Sequence, residues 1–252
     1  MSIKILVTDP LSDAGIELLS QSNFEVIYKP GVPLDDLLSI ISDIDGWIIR
    51  SGTKIQKNHI LKAKKLQVIG RAGVGTDNID IESATLNGVV VMNVPDGNTV
   101  SAAEHTLAMI SALSRNIQLG HMGLINGSWD RHKLVGHELR GKILGVVGLG
   151  KIGREVIKRA LSFDMKILGY DPYVSQDNFD DSEIKVVSID ELTKSSDYIS
   201  LHVPFNDKTK DLFDLKRMKM MKKTSKIINV ARGGIINEND LAEALNQEII
   251  SG

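Results

Sequence analysis

Three glycines and one aspartate have the residue types and the spacing needed to hold a dinucleotide. Gly148, Gly150 and Gly153 form a G-x-G-x-x-G pattern that follows an apolar stretch typical of a strand and opens a stretch typical of a helix. These glycines allow a tight turn, a close approach of a diphosphate to the backbone and close packing of the helix, whose N-terminal N–H groups attract anions. Asp171 ends the next predicted strand, eighteen residues after Gly153, near the offset at which a carboxylate accepts hydrogen bonds from ribose. The carboxylate would repel a 2′-phosphate, so the pattern predicts NAD rather than NADP, although a turn aspartate beside Pro172 is the alternative interpretation.

Strand and helix patterns alternate along the chain in two series, which predicts parallel sheets covered by helices. The strands of the first series are predicted at Ile3–Thr8, Glu25–Tyr28, Trp47–Arg50, Val68–Gly70 and Val89–Asn93, and its helices at Asp13–Ser20, Leu34–Ser42, Asn58–Lys65 and Ile81–Leu86. The strands of the second are predicted at Ile143–Val147, Lys166–Tyr170, Tyr198–Val203 and Lys226–Val230, and its helices at Ile152–Phe163, Leu212–Met221 and Asn239–Asn246. A turn at Pro95-Asp96-Gly97 and a long helical segment, Asn98–Ile125, separate the two series. We therefore expect an α/β protein with two doubly wound parallel-sheet domains.

Short polar residues and glycines mark several helix ends. Ser12 and Asn78 lie where helix N-caps are expected, and Gly88 lies where a C-cap is expected. Ser188 and Glu191 form the S-x-x-E pattern of a capping box before a short helix. The second series has fewer strands than the six that are usual in such a sheet. We therefore expect these 252 residues to be a fragment of a longer chain, with a short natural sheet as the alternative.

Composition excludes several classes of protein. Thirty basic and thirty-two acidic residues give a net charge of −2, so nothing in the charge favours nucleic acid or an anionic membrane as a partner. The absence of cysteine excludes disulfides, thiolate metal sites and a cysteine nucleophile. No apolar run approaches the roughly 18 residues of a membrane span, and the first residues lack the pattern of a signal peptide. We expect a cytoplasmic protein that acts on a small molecule without a metal.

Six motifs, the glycine pattern among them, carry a resemblance to a known family. They are Gly70-Arg71-Ala72-Gly73-Val74-Gly75-Thr76-Asp77-Asn78, Asn93-Val94-Pro95-Asp96-Gly97-Asn98-Thr99, Ser101-Ala102-Ala103-Glu104-His105-Thr106, the glycine pattern, His202-Val203-Pro204 and Asn229-Val230-Ala231-Arg232-Gly233-Gly234. The sequence resembles the D-isomer-specific 2-hydroxyacid dehydrogenase family over nearly its whole length. The resemblance implies hydride transfer between NAD and C2 of a D-2-hydroxy acid, with 3-phosphoglycerate in serine synthesis as the favoured substrate. It also implies a flavodoxin-like substrate domain over residues 1–97 and a Rossmann NAD-binding domain over residues 98–252, both incomplete.

The resemblance assigns roles to individual residues. Arg232 would orient the substrate carboxylate and polarise the carbonyl, a task that suits a bidentate guanidinium better than a lysine. The residues expected to contact the substrate are Arg50, Ser51, Gly73, Val74, Gly75 and Asn98. The residues expected to contact the cofactor are Gly148, Gly150, Lys151, Ile152, Gly153, Asp171, Val203, Pro204, Thr209, Val230, Ala231 and Arg232. Considered individually, most of these residues would also fit a place in the core, in a loop or on the surface. Arg232 itself would also fit the role of an exposed surface cation.

The family's proton donor, a histidine paired with a glutamate, has no counterpart in the sequence. Both residues follow the A-R-G-G loop in the family, and the twenty residues after Arg232 contain no histidine. Glu104 and His105 are neighbours on a predicted helix, so their side chains point about 100° apart and do not form a pair. We assign a catalytic role to none of the six histidines, and we expect negligible dehydrogenase activity from the 252 residues alone.

Three alternative functions and the oligomeric state remain open. The substrate could be another 2-hydroxy acid, such as glycerate or hydroxypyruvate, glyoxylate or lactate, although Arg50, Arg131 and Lys133 weakly favour a phosphorylated one. A protein that binds NAD without catalysis, as a sensor, is a second alternative, and a flavodoxin-like binding protein without nicotinamide is a third. The counterpart of Asn98–Ile125 lies in a dimer interface in the family, so we expect a homodimer through this segment, while a helix buried within one subunit fits the sequence equally well.

Overall fold

The computed structural model describes residues 2–178 and 184–252, and the chain divides into two compact units. The first unit ends at Asn98 and the second spans Thr99–Gly252. The division thus falls one residue after the predicted boundary between 97 and 98.

The first unit is built around a five-stranded parallel sheet. Its strands are β1 (Lys4–Val7), β2 (Glu25–Tyr28), β3 (Gly46–Ile49), β4 (Val68–Arg71) and β5 (Val90–Asn93), in the order β2-β1-β3-β4-β5. This is the flavodoxin-like order, in which the direction of winding reverses between β1 and β3. The central strands are short apolar runs because both faces of the sheet are covered, and Trp47 of β3 is fully buried.

Short helices connect these strands. They are α1 (Asp13–Gln21), α2 (Leu38–Ile41), which continues a 3-10 turn at Leu34–Leu37, α3 (Lys57–Lys62) and α4 (Ile81–Leu86). Ser12 caps α1 by accepting a hydrogen bond from the Gly15 N–H, as predicted. The prediction for Asn78 was wrong, because Asp80 caps α4 and the Asn78 amide instead donates to the carbonyls of Arg50 and Thr53. Gly88 takes a positive φ of 70° directly after α4, a conformation that favours glycine.

The second unit contains another five-stranded parallel sheet. Its strands are β6 (Ile143–Val147), β7 (Lys166–Tyr170), β8 (Ile184–Val186), β9 (Tyr198–Leu201) and β10 (Lys226–Asn229), in the order β10-β9-β6-β7-β8. Counted within the unit, this order is 5-4-1-2-3, the arrangement of a dinucleotide-binding sheet whose winding reverses between its first and fourth strands. The sequence patterns did not predict β8, which is only three residues long and has a charged residue at its centre.

The helices of the second unit differ from the predicted ones mainly at their ends. They are α5 (Thr99–Ser114), α6 (Ile117–Ile125), α7 (Lys151–Leu161), α8 (Ile189–Ser195), α9 (Leu215–Met218) and α10 (Glu238–Asn246). Asn116 adopts a left-handed conformation, with a φ of 54°, and splits the predicted long segment into α5 and α6. Ser188 caps α8 through the Glu191 N–H, whereas the Glu191 carboxylate accepts from Lys185.

Two parallel α/β sheets with these strand orders confirm the predicted fold class. Across residues 2–178 and 184–252, no helix has the length and apolar character required to cross a membrane.

Candidate functional site

The turn between β6 and α7 has a backbone that requires glycine at its first position. Gly148 has a φ of 98°, and a Cβ there would lie 2.5 Å from the carbonyl oxygen of His202. Its N–H donates to the Tyr170 carbonyl at the end of β7, over 2.8 Å. The turn is therefore held between the ends of the two neighbouring strands, β7 and β9, with no room for a side chain.

The other two glycines of the pattern serve different purposes. A Cβ on Gly153 would lie 2.1 Å from the Gly148 carbonyl oxygen, so the absence of a side chain lets α7 approach the turn. A Cβ on Gly150 would meet no protein atom within 4 Å. Internal packing therefore does not explain Gly150, whose position at the exposed start of the eleven-residue helix α7 leaves space for a diphosphate.

Side chains hold the peptide groups of Leu149, between the first two glycines, from both sides. The Leu149 N–H donates to Oδ2 of Asp171 over 2.9 Å, and its carbonyl accepts from Nε of Arg154 over 3.0 Å. The other oxygen of Asp171 accepts from the Tyr173 N–H over 2.9 Å. A carboxylate has about four lone-pair positions, so Asp171 keeps acceptor capacity for ribose hydroxyls while it orders the turn. The role of Arg154 was not predicted, because the pattern itself contains only glycines.

The end of β9 forms the neighbouring wall of this turn. Nε2 of His202 lies 2.8 Å from Oγ of Ser200, and burial lowers the pKa of His202 to about 4, so the ring is neutral at pH 7. Val203 is partly exposed and Pro204 is exposed, both directly after the strand. The Thr209 hydroxyl donates to the Pro204 carbonyl and accepts from the Asn206 N–H, so the structure shows it closing the turn that follows the strand.

The loop that carries Arg232 follows β10 and is folded by an amide side chain. Oδ1 of Asn229 accepts from the N–H groups of Ala231 and Arg232, over 3.1 and 3.3 Å, while its Nδ2 donates to the Arg232 carbonyl over 2.7 Å. Nη1 of Arg232 donates to the Ala231 carbonyl over 2.8 Å. Val230 and Ala231 are half-buried beside it. The loop therefore leaves the carboxyl end of the sheet, where ligands of open α/β sheets bind.

In the first unit, a cavity of about 410 Å³ lies beyond the carboxyl ends of β3, β4 and β5. Five of the six predicted substrate residues line it, namely Arg50, Ser51, Gly73, Val74 and Asn98. Gly75 is not among the lining residues. Arg71, at the end of β4, also lines the cavity and was not predicted, although it is part of the quoted Gly70–Asn78 motif. Two arginines, Arg50 and Arg71, thus line the cavity, and Nη1 of Arg50 donates to the Pro10 carbonyl over 3.4 Å.

Glycine at position 73 makes room for one of these cations. A Cβ there would lie 1.5 Å from Nη1 of Arg71, so the guanidinium lies directly against the Gly73 backbone. The Gly73 carbonyl accepts from the Val94 N–H over 2.9 Å, and the Val74 carbonyl accepts from Nδ2 of Asn93 over 2.7 Å. Contacts from the end of β5 therefore hold the turn that follows β4.

Two further features concern charge and metals. Lys133, which with Arg50 and Arg131 suggested a phosphorylated substrate, donates to Asp130 over 2.7 Å within its own 3-10 turn. Among the residues that the structure describes, no three His, Asp or Glu side chains are grouped to hold a metal ion.

Comparison with known proteins gives consistent results. Residues 107–252 match the family model "D-isomer specific 2-hydroxyacid dehydrogenase, NAD binding domain". D-3-phosphoglycerate dehydrogenase of Methanocaldococcus jannaschii is 46% identical over 246 residues, 97% of this chain and 47% of that protein. The enzyme of the same name from Archaeoglobus fulgidus is 42% identical over 243 residues, 96% of this chain and 46% of that protein. The chain thus spans about half the length of these curated relatives.

A solved structure resembles the fold over almost the whole chain. NAD-dependent formate dehydrogenase from Staphylococcus aureus, in complex with NAD, matches with a TM-score of 0.90 and 33% identity. The match covers 99% of this chain and 80% of that one. The predicted cofactor, NAD, is confirmed by the family model and by this neighbour.

Proposed function

Because the chain belongs to the D-isomer specific 2-hydroxyacid dehydrogenase family, we propose that it serves the NAD-dependent interconversion of a D-2-hydroxy acid and the corresponding 2-oxo acid. The proposed substrate is 3-phosphoglycerate, oxidised at C2 to 3-phosphohydroxypyruvate for L-serine synthesis. The observation that carries the substrate proposal is the cavity beyond the sheet of the first unit that two arginines, Arg50 and Arg71, line.

In this proposal each unit binds one reactant. The second unit holds the diphosphate at the start of α7 through main-chain N–H groups, with Lys151 and Ile152 beside it. Asp171 accepts from the adenosine ribose, and Val203, Pro204, Thr209, Val230 and Ala231 contribute the remaining contacts. NAD, when bound, supplies the acceptor for the hydride removed from C2. Residues up to 97 form the substrate domain, and residues 98–252 form the NAD-binding domain.

The charge of the cavity favours a phosphorylated acid over lactate or glyoxylate. A phosphate and a carboxylate on one molecule present two anionic groups, which suits two guanidinium groups that each bind planar or tetrahedral oxyanions through paired N–H donors. Ser51, Gly73, Val74 and Asn98 line the same cavity and add hydroxyl, main-chain and amide donors. Unphosphorylated acids such as glycerate would leave one cation without its anion.

Arg232 is proposed to orient the substrate carboxylate and to polarise the C2 oxygen. Its loop is folded by the Asn229 amide, a side chain that does not titrate. Replacing Arg232 with lysine in the full-length protein should lower kcat/KM for 3-phosphoglycerate by about 100-fold while NADH binding is kept, because a point charge cannot bind bidentately. An unchanged kcat/KM would contradict the role.

The polypeptide of residues 1–252 is proposed to bind NADH without measurable turnover. None of its histidines has a geometry that we assign to proton transfer, and His202, the nearest to the glycine turn, is neutral and bonded to Ser200. Fluorescence titration with NADH should saturate, whereas a steady-state assay should show no dehydrogenase activity. Near-normal turnover would refute this proposal, and failure of NADH to saturate would favour a protein that does not use nicotinamide.

A competition experiment distinguishes the substrates. Binding of 3-phosphoglycerate to the 252-residue chain should be at least about tenfold tighter than binding of glycerate, since loss of one charge-assisted contact costs about that much. Equal affinities would point to an unphosphorylated acid. A full-length protein that binds NADH and 3-phosphoglycerate but never turns over would instead be a sensor.

A homodimer through α6 is also proposed. None of the nine residues of α6 is buried in the single chain. The exposed apolar side chains of α6, together called here the α6 face, are those of Ile117, Leu119, Met122, Leu124 and Ile125, and they surround more than half of the helix. Trp129, 68% exposed, follows it in sequence. An exposed apolar surface of this kind is more often a protein interface than a surface left in contact with water. A second copy of the chain would cover it symmetrically.

Sedimentation velocity tests the dimer. Leu124→Glu should convert the dimer to a monomer, because it places a charge within an apolar interface. Leu86→Glu is the matched control, since Leu86 is exposed on α4 of the first unit and lies outside the α6 face. A Leu124→Glu protein that remains dimeric would exclude α6 as the interface.

A further inference from the structure

The first unit contains a second and larger cavity, of about 690 Å³. It is lined from the loops after β1, β2 and β3, and it lies where the winding of the sheet reverses between β1 and β3. In open parallel sheets, the crevice at such a reversal is the usual place for a ligand. The proposed substrate cavity lies elsewhere, beyond β3, β4 and β5. The larger cavity, called here the β1/β3 cavity, thus has a position typical of a binding site and no assigned ligand.

A nearly buried carboxylate forms part of its lining. Asp9 is only 5% exposed, and its Oδ2 accepts from the N–H groups of Arg50 and Thr53 over 2.6 and 3.0 Å. Within residues 2–178 and 184–252, its other oxygen, Oδ1, has no hydrogen-bond partner; it lies beside Gly52, which also lines the cavity. A carboxylate oxygen in a nearly buried position strongly favours a donor.

A nearly buried imidazole supplies the complementary group. His59 is 6% exposed, and its Nδ1 accepts from the Gln56 N–H over 3.1 Å. Because Nδ1 accepts a hydrogen bond, the ring proton is on Nε2, and burial, which lowers the pKa of His59, favours this neutral form. That N–H donor has no partner in the part of the chain that the structure describes. The cavity therefore offers one unused acceptor, on Asp9, and one unused donor, on His59.

The rest of the lining carries no net charge. Pro10, Pro30 and Pro33 provide apolar ring surfaces, and Asn58 provides an exposed amide that both donates and accepts. The charged lining residues besides Asp9 are Asp35 and Lys54, both exposed. The lining has two carboxylates and one ammonium, and the Arg50 guanidinium lies at its edge, where Nη1 donates to the Pro10 carbonyl over 3.4 Å. These charges balance, so the cavity favours an uncharged ligand.

We propose that the β1/β3 cavity binds the vicinal diol of an uncharged molecule, the ribose of a nucleoside or a free sugar. Each hydroxyl of a diol both donates and accepts, so one hydroxyl donates to Oδ1 of Asp9 while the other accepts from Nε2 of His59. Carboxylates recognise ribose hydroxyls in this way in dinucleotide sites. The proline rings contact the apolar face of the sugar, and a volume of about 690 Å³ is in the range of small-molecule sites.

Residue-resolved NMR of the 252-residue chain tests the proposal. The probes are methyl β-D-ribofuranoside for a free sugar and adenosine for a nucleoside, each paired with its 2-deoxy analogue, which lacks the diol. Either ribo probe should shift the His59 imidazole and Asn58 amide signals saturably, and the deoxy analogue should bind about five- to tenfold more weakly. A response to adenosine alone identifies a nucleoside, and a response to the furanoside identifies a free sugar. Signals near Asp171 separate any binding of adenosine to the second unit.

Two variants provide the controls. Asn58→Ala changes an exposed side chain. It should weaken binding of the ribo probe by about fivefold without altering the midpoint of thermal unfolding. His59→Gln should weaken binding of the ribo probe by about the same factor. If this variant is destabilised, Asn58→Ala alone tests the proposal. The absence of saturable shifts up to about 50 mM, far above a weak sugar affinity, would overturn the proposal. Equal binding of ribo and deoxy probes, or no effect of Asn58→Ala, would also overturn it.

Discussion

The two units each place a glycine turn at the carboxyl end of a parallel strand, but the binding sites proposed there offer different hydrogen-bond donors. In the second unit, the turn after β6 leads directly into the eleven-residue helix α7, whose first N–H groups face the space above Gly150. In the first unit, the turn at Gly73 leads into a loop, and the next helix begins only at Ile81. There, the side chains of Arg50 and Arg71 line the proposed substrate cavity.

The difference determines how each site depends on the sequence. A main-chain site needs a short local pattern, because the backbone of the turn and the helix start provide the donors. A side-chain site depends on residues that converge from three strand ends. Replacing one of these side chains leaves the conformation of the other strand ends unchanged. We therefore expect the glycine turn of the second unit to be the more sensitive of the two to small changes.

The largest expected effect comes from one methyl group on Gly153. Gly153→Ala places a Cβ about 2.1 Å from the Gly148 carbonyl oxygen, and overpacking of this kind costs about 2 kcal/mol of unfolding free energy. NADH affinity should fall by about 100-fold or more because α7 must move away from the turn. NADH fluorescence titration and urea unfolding measure the two effects.

Gly150→Ala is the matched control for that change. The same methyl group meets no protein atom at Gly150, so stability should be unchanged. NADH affinity should fall by about tenfold, because the backbone can no longer approach the diphosphate closely. If both variants bind NADH like the wild type, the diphosphate does not lie over this turn.

The next effect tests the side-chain site. Arg71→Ala should weaken binding of 3-phosphoglycerate by about 10- to 100-fold, because a charge-assisted contact is lost, and should leave NADH binding unchanged. Isothermal titration measures both ligands. Arg140→Ala, which removes an exposed guanidinium of the second unit, is the control and should change neither. Unaltered 3-phosphoglycerate binding in Arg71→Ala would remove Arg71 from the site.

A smaller change is expected at Asp171, where a side chain supports the main-chain site. Asp171→Asn should weaken NADH binding by about tenfold, because an amide has only one oxygen to accept hydrogen bonds from Leu149, Tyr173 and the ribose. It should also raise the affinity for NADPH relative to NADH, because the charge that repels the 2′-phosphate is gone. Asp36→Asn, the same change on the surface of the first unit, should do neither. An unchanged ratio of NADPH to NADH affinity would show that the carboxylate does not face the 2′ position.

The smallest effect is a dependence of the second unit's stability on pH. Burial lowers the pKa of His202 to about 4, below the 6.5 of an unfolded histidine. The unfolded state therefore binds more protons between these values, and the second unit loses stability as pH falls below about 6.5. From pH 7 to pH 5.5 the loss is about 1 kcal/mol, which amide hydrogen exchange in β6 and β9 measures. His202→Asn should remove most of the pH dependence, and an unaltered slope would assign it to other groups.

The fold could be predicted where the sequence pattern is strong and local. Apolar runs such as Ile143–Val147 identified most strands, and the positions of Ser12 and Gly88 identified helix ends. Strand β8 has only three residues, too few to establish a period of two. Asn116 broke a continuous helical pattern by taking a left-handed conformation that the apolar periodicity does not encode.

The candidate-site residues also differ in whether a local sequence pattern predicts them. The glycine turn and Asp171 could be located because they are contiguous or lie at a known offset. Arg71 and Arg154 were missed, since their significance depends on which backbone atoms lie beside them after folding. Asn78 shows the same limit: the N-cap role predicted for it belongs to Asp80, two residues later, because the Asn78 amide contacts the loop after β3 instead.

The peptide groups of Leu149 are already held by Asp171 and Arg154 before any ligand arrives. A diphosphate bound as proposed would therefore meet a turn that needs no rearrangement, and little conformational entropy would be lost there on association. Among variants of this turn, association rates should stay similar, and residence times should account for most of the differences in affinity.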